Sequence, residues 1–76
     1  MSVKAYILLN VEVGMGEEVF QALSAIEGVE SVHNVTGPYD VIAFIEAPDT
    51  AALGDLVINE IQLIDGIDYT LTCVVL

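Results

Sequence analysis

A short segment of the chain, Thr-Gly-Pro-Tyr-Asp at residues 36–40, carries side chains suited to binding a small molecule. Gly37 has no Cβ, so the backbone there can approach a bound group closely. Asp40 offers a carboxylate that can pair with an amine. Because Asp beside a Gly-Pro turn is also ordinary turn chemistry, the segment predicts either a ligand-binding turn or a purely structural one.

His33 is the only histidine, and Asp40 follows it across the same turn, so the two residues could form an acid-base pair. A strand histidine at an edge or an interface is the commoner case. The sequence contains no His or Cys cluster with metal-ligand spacing, and Gly14-Met15-Gly16 lacks the remainder of a phosphate-binding loop. We therefore predict no catalytic residue, no metal and no cofactor.

Cys73 is the only cysteine, so an intrachain disulfide is excluded. It lies in an apolar run near the end of the chain. This position predicts a small buried hydrophobic side chain without chemistry of its own.

The 76 residues suffice for one domain, which we expect to span residues 1–76. Hydrophobic residues make up 55% of the chain, above the roughly 45–50% of ordinary soluble proteins. One small core cannot hide that much apolar surface. A partner surface is therefore expected.

The chain has 12 acidic residues and one basic residue, Lys4, which gives a formal charge of −11. This charge opposes direct binding to nucleic acid and to anionic membranes. No apolar run approaches the roughly 18 residues of a membrane-spanning helix, and the N-terminus has no signal-peptide pattern. The expected location is the cytoplasm.

The apolar periodicity predicts four strands and two helices. Alternation favours strands over residues 5–13, 29–36, 39–47 and 67–76. Helical spacing favours a helix from Glu17 to Glu27, ended by Gly28. It favours a second helix after an N-cap candidate in Pro48-Asp49-Thr50, with Leu53, Val57, Ile61 and Ile64 on its apolar face.

The two halves of the chain resemble each other at an offset of 38 residues. Ala5-Tyr6-Ile7 matches Ala43-Phe44-Ile45, and Glu27-Gly28-Val29 matches Asp65-Gly66-Ile67. Two β-α-β units with right-handed crossovers interleave their strands. The predicted fold is therefore α+β and ferredoxin-like, βαββαβ, with an antiparallel sheet in the order 4-1-3-2 and both helices on one face.

The sheet face without helices is predicted to be unusually apolar. An exposed sheet face should be polar, but four large side chains alternate onto this face from the two central strands: Tyr6, Leu8, Ile42 and Phe44. Regular alternation in the flanking strands adds Val32 and Val74. We predict a homodimer that pairs these faces, with isolated surface hydrophobic residues as the alternative.

Several segments together resemble the effector-binding domain of the Lrp/AsnC family of transcriptional regulators, also called the RAM domain. They are Ala5-Tyr6-Ile7-Leu8, Val-Thr-Gly-Pro-Tyr-Asp-Val-Ile-Ala at 35–43, Asp65-Gly66-Ile67 and Thr70-Leu71-Thr72. The resemblance covers nearly the whole chain, and residues 36–40 are its most specific part. Family regulators also carry an N-terminal helix-turn-helix, so this chain resembles a stand-alone RAM domain.

The resemblance implies a dimeric α/β barrel with facing sheets, further assembly of dimers into an octamer, and an amino acid effector bound between dimers. Carried onto this chain, the ligand-binding residues are Gly37, Tyr39, Asp40, Thr70 and Thr72. Asp40 would take the ammonium group, the threonine hydroxyls and backbone near Gly37 the carboxylate, and Tyr39 the side chain. Many relatives have a basic residue where this chain has Tyr69.

The implied function is that of an effector-binding and oligomerising module that acts on transcription through full-length Lrp/AsnC regulators, without touching DNA itself. A small dimeric α/β-barrel enzyme of the monooxygenase or isomerase type is an alternative. A purely structural heterodimerisation partner is another.

Overall fold

The four strands form one antiparallel sheet in the order β2-β3-β1-β4 in the computed structural model, which describes residues 2–76. The strands are β1 (Val3–Val11), β2 (Val29–Asn34), β3 (Val41–Ala47) and β4 (Ile67–Val74). The helices are α1 (Gly16–Ser24) and α2 (Thr50–Leu56), and α2 continues into a π-helical turn, Val57–Ile61. The ferredoxin-like fold and the predicted strand order are confirmed.

The core lies between the helices and one face of the sheet. Alternate residues of the two central strands are buried, from β1 Ala5, Ile7 and Leu9, and from β3 Val41, Ala43, Ile45 and Ala47. The helical layer covers them with Val19, Leu23, Leu53, Leu56, Val57 and Ile61. Every second residue of the central strands is buried, and the buried helical residues recur at helical spacing. This is the pattern expected when a layer of helices packs on one face of a sheet.

Both helices are shorter than predicted. Helix α1 ends at Ser24, and Ile26 contacts the core from the turn that follows. Helix α2 begins after Asp49, whose Oδ1 accepts a hydrogen bond from the Ala52 amide at 2.8 Å, as an N-cap should. Its last turn widens to i→i+5 spacing, with Gln62 N donating to the Val57 carbonyl oxygen at 2.9 Å.

The strand boundaries also differ from the prediction: β1 is shifted two residues toward the N-terminus, and the other three strands are shorter. Strand β1 begins at Val3 and stops at Val11, so Val13 is fully exposed in the turn and does not extend the buried face. Strand β3 begins at Val41, which leaves Tyr39 and Asp40 in the preceding turn. In the part of the chain the structure describes, no helix is long and apolar enough to cross a bilayer.

Two register shifts change which side chains reach each face of the edge strands. In β2 the pairing skips Glu30, between Val29 opposite Ile45 and Ser31 opposite Phe44. In β4 it skips Asp68, between Ile67 opposite Val11 and Tyr69 opposite Asn10. An extra residue in one strand turns every following side chain to the other face.

The prediction that Val32 and Val74 lie on the helix-free face is therefore wrong. Val32 is paired with Ala43 and Val74 with Ala5, and both partners are buried beneath the helices. The regular alternation assumed from the sequence fails because each strand contains one residue more than its partner at the shift.

Candidate functional site

The helix-free face of the sheet carries a contiguous apolar cluster, which we call the open-face patch: Tyr6, Leu8, Ile42, Phe44 and Leu71. Tyr6 is paired with Phe44, and their ring centroids lie 4.8 Å apart at 50°. Leu8 lies between Ile42 and Leu71 in the next row. The central strands therefore present the predicted four side chains together, and the shift in β4 adds Leu71.

The patch is only partly covered. Tyr6 is 47% exposed and Leu71 38% exposed. Tilted aromatic packing between Tyr6 and Phe44 is favourable within one chain, but it leaves both rings on the surface. A soluble monomer rarely exposes so large an apolar cluster without using it.

Cys73 lies beside the patch, opposite Tyr6, and is exposed. The prediction that it is buried is wrong. The reason is again the shift at Asp68, which turns Cys73 away from the core and Val74 toward the helix side.

The turn before β3 is held through Asp40. Its amide donates to the Leu9 carbonyl oxygen at 2.9 Å, and its own carbonyl oxygen accepts from the Val35 amide at 2.9 Å. Its carboxylate oxygen Oδ2 accepts from the Val11 amide at 3.0 Å. Asp40 thus ties the turn to the end of β1; the sequence allowed a structural turn here, but not this long-range contact.

Gly37 and Tyr39 shape the same turn. Gly37 has φ +139, a value that favours glycine, and the space around its Cα is open. Tyr39 is half-buried. The turn therefore offers an accessible backbone next to the Asp40 carboxylate.

Thr70 and Thr72 lie on the helix side of β4, because they are paired with the buried residues Leu9 and Ile7. The Thr70 hydroxyl accepts a hydrogen bond from Gln62 Nε2 at 3.4 Å. Thr72 lines an open groove of about 390 Å³ between β4 and the second helical segment. The groove is mainly apolar, and its other lining residues are Thr50, Leu53, Gly54, Val57, Ile58, Gln62 and Val74.

Gln62 is a site candidate that the sequence reasoning missed. It follows the buried Ile61 directly and borders both Thr70 and the groove. Many helices have a polar residue after their last buried position, so the sequence gives no signal that Gln62 belongs to a site. Only the packing of the second helical segment against β4 shows it.

One chain does not bring the five predicted ligand-binding residues together. Asp40 adjoins β1 from the β3 side, and Thr70 is paired with β1 from the β4 side. Two strand spacings, roughly 10 Å, therefore separate Asp40 from Thr70. Gly37, Tyr39 and Asp40 form one half of the predicted site, and Thr70 and Thr72 form the other.

His33 stands opposite Ile42 on the exposed surface of β2. Its partner in the hypothetical acid-base pair, Asp40, directs its carboxylate to the Val11 amide. Across residues 2–76, no three His, Cys, Asp or Glu side chains are grouped so that they could hold a metal ion. The geometry gives no support to a His33–Asp40 couple.

Comparison with known proteins places these features in a family context. A family model, the Lrp/AsnC ligand binding domain, matches residues 4–76. The chain is similar to an HTH-type transcriptional regulator of Pyrococcus furiosus, PF0250, with 30% identity over 73 residues. That match covers 92% of this chain and 49% of the regulator, so the chain spans about half the length of such curated relatives.

A shorter match joins the chain to an enzyme. The homocitrate synthase of Sulfurisphaera tokodaii is 38% identical over 58 residues. The matched region covers 76% of this chain and only 12% of the synthase. Most of that enzyme therefore has no counterpart here.

Solved structures share the fold closely. FFRP-DM1 superposes with a TM-score of 0.94 at 28% identity, covering 97% of this chain and 99% of that chain. AsnC of E. coli superposes with a TM-score of 0.92 at 27% identity, covering 97% of this chain and 50% of AsnC. The same fold thus occurs both as nearly a whole chain and as half of a longer one.

Proposed function

The chain belongs to the family of Lrp/AsnC ligand-binding domains, and on that premise we propose that it binds a small effector, pairs with copies of itself and influences transcription through full-length regulators of the family. Its place of action would be the cytoplasm. The observation that carries the proposal is the open-face patch, on the face of the sheet opposite the helices.

The energetics of the patch favour pairing. Full burial of a large apolar side chain contributes about 1.5–3 kcal/mol. The five members of the patch are already partly covered, so closing a second sheet over them contributes on the order of 5 kcal/mol per chain. Two copies together reach the range of the association cost, about 4–15 kcal/mol.

The proposed effector is an amino acid. Asp40 would bind its ammonium group through Oδ1, because Oδ2 already accepts from Val11. The apolar groove beside Thr72 has a volume within the roughly 300–1,000 Å³ of small-molecule sites, and the hydroxyls of Thr70 and Thr72 would bind polar groups. Gly37 and Tyr39 would shape the end near Asp40.

The separation of the two halves supports a site shared between chains. Within one chain, β1 lies between Asp40 and Thr70, so a ligand that contacts both would have to cross the backbone of that strand. A ligand that contacts both kinds of residue is therefore better served by the turn of one chain and the groove of another. Assembly of dimers into an octamer, which the family resemblance implies, would bring such halves together.

Calorimetric titration against the twenty amino acids, paired with sedimentation, tests this proposal. We expect saturable heat from one amino acid or a few related ones, and a species of at least dimer mass. Asp40→Asn and Thr72→Val should each abolish the heat while the protein stays folded. Silence from every amino acid with folded wild-type protein would contradict effector binding.

An effector module that acts on a metabolic enzyme is a second candidate, favoured by the match to homocitrate synthase. Affinity capture from the host lysate separates the candidates. Recovery of a full-length Lrp/AsnC regulator supports the first, and recovery of an enzyme supports the second. Capture of a regulator without any small ligand would indicate a purely structural heterodimer partner.

We assign no catalytic activity to the chain itself. His33 would be the general acid or base of a small α/β-barrel enzyme, but it is exposed and the carboxylate of Asp40 is committed to Val11. His33→Ala should therefore leave ligand binding unchanged. A turnover that this variant abolishes would overturn the assignment.

A further inference from the structure

The negative charge of this chain is almost entirely without basic residues to balance it. Lys4 is the single base against 12 acids, and no polar or charged side chain of the described residues is buried. All the described carboxylates therefore face solvent at least in part. Four acidic residues, Glu27, Glu46, Asp55 and Glu60, line one hollow of about 180 Å³.

Pairing two open faces brings two such charges close. The shortest dimension of the chain is 17 Å, so the centres of two stacked copies lie at about that distance. The Debye length is about 30 Å at 0.01 M salt, 8 Å at 0.15 M and 3 Å at 1 M. At the lowest of these concentrations, more than half of the repulsion between the two copies survives screening at this distance, and at the highest almost none does.

We infer that charge decides what covers the open-face patch: self-pairing depends on ionic strength, and at low ionic strength the preferred occupant is a copy of the same fold with a less acidic surface. The inference rests on the proposed function, since it takes the patch as the interface. The apolar contacts would be the same in both kinds of pair, so the choice between them is electrostatic.

The expected effect is large. Coulomb repulsion between two charges of −11 at this distance exceeds thermal energy many times in dilute salt. We expect the homodimer Kd to fall at least about 100-fold between 0.01 and 0.15 M KCl. A further drop of about tenfold is expected up to 1 M.

A charge series at fixed positions tests the inference. Glu18, Glu27 and Glu60 are exposed and lie in α1, in the turn after it and in the π-helical turn, away from the open-face patch. Changing all three to Gln removes three negative charges, from −11 to −8, and changing all three to Lys gives −5. Neither variant alters an apolar contact of the patch.

Sedimentation measures the dimer Kd, and fluorescence resonance energy transfer between labelled chains measures the formation of mixed dimers. Circular dichroism monitors folding. The Kd at 0.01 M KCl should fall in the order wild type, Gln variant, Lys variant, and the salt dependence should flatten in the same order. Wild type mixed with the Lys variant should form mixed dimers in preference to wild-type dimers, most strongly at low salt.

The outcomes separate the inference from the proposed function. A wild-type dimer whose Kd is the same from 0.01 to 1 M KCl would overturn the inference and leave the proposed function standing. Equal Kd values across the charge series at 0.01 M would do the same. Folded chains that form no dimer at any salt concentration would overturn both.

Discussion

The Asp40 carboxylate accepts a hydrogen bond from the Val11 amide at 3.0 Å, joining two residues 29 positions apart in the chain. The bond lies next to the point where the pairing of β1 with β4 shifts. Asp40 thereby stabilises the end of a central strand. It is also the residue proposed to bind an effector's ammonium group, and its two oxygens allow the two roles to be separated.

Substitution of Asp40 separates these roles. Asp40→Ala removes the acceptor for the Val11 amide, so we expect a loss of about 0.5–1.5 kcal/mol in the free energy of unfolding. Asp40→Asn keeps an acceptor oxygen and removes the charge, so stability should change less while effector affinity is lost. Urea titrations of both variants check the first part, and calorimetry checks the second. Equal destabilisation by Asn and Ala would argue that the charge itself holds the turn.

The open-face patch is tested by a neutral polar substitution. Leu8→Gln keeps the net charge and places a polar group in the patch, so the dimer Kd should rise at least about tenfold. Leu63→Gln is the matched control, because Leu63 is 72% exposed in the turn after the π-helical segment. Sedimentation velocity gives both values. A dimer weakened as much by Leu63→Gln would place the interface elsewhere.

Two glycines with equally open surroundings should respond in opposite directions to alanine. Gly37 has φ +139, whereas Gly54 lies within α2, and at both positions an added Cβ meets nothing within 4 Å. Gly37→Ala should destabilise the protein by about 1–2 kcal/mol because of backbone strain. Gly54→Ala should stabilise it by about 0.5–1 kcal/mol, since Ala favours the helix. Thermal or urea unfolding of the pair measures the contrast, and stabilisation by both variants would mean that the turn relaxes freely.

Cys73 reports on the open face without any substitution. It is exposed in one chain and lies opposite Tyr6, at the border of the patch. A thiol reagent should therefore react faster with dilute, dissociated protein than with concentrated protein, and fast at all concentrations with Leu8→Gln. The reaction is followed by absorbance. Rates independent of concentration in the wild type would indicate that the dimer leaves this border open.

Capping of the second helix offers a local stability test. The Asp49 side chain accepts from the Ala52 amide at the start of α2. Asp49→Ala should lower the free energy of unfolding by about 1 kcal/mol, and Asp49→Ser should restore most of it, because serine is also a good N-cap. Urea unfolding distinguishes the two variants. An equal loss with serine would point to the charge of Asp49 and away from its hydrogen bond.

The sequence by itself determined the central part of this protein. Strict alternation in β1 and β3 identified which of their side chains face the helices and which form the open-face patch, because a central strand is paired on both sides and keeps a period of two. The internal duplication was enough to fix the strand order. The family resemblance rested on several segments, of which residues 36–40 were the most specific.

Only the tertiary structure decided which face the side chains of the edge strands reach and how the residues of the candidate site are arranged. The extra residues Glu30 and Asp68 turn the rest of β2 and β4 over, which places Thr70 and Thr72 on the helix side and exposes Cys73. A hint was present in β2, where apolar Val29 and Val32 are three residues apart and cannot share a face of a regular strand. A bulge forms where pairing with a neighbouring strand requires it, so the pattern of one strand does not reveal which face its later residues reach. The positions of Asp40 and Thr70 on opposite sides of β1 likewise depend on how the strands pair.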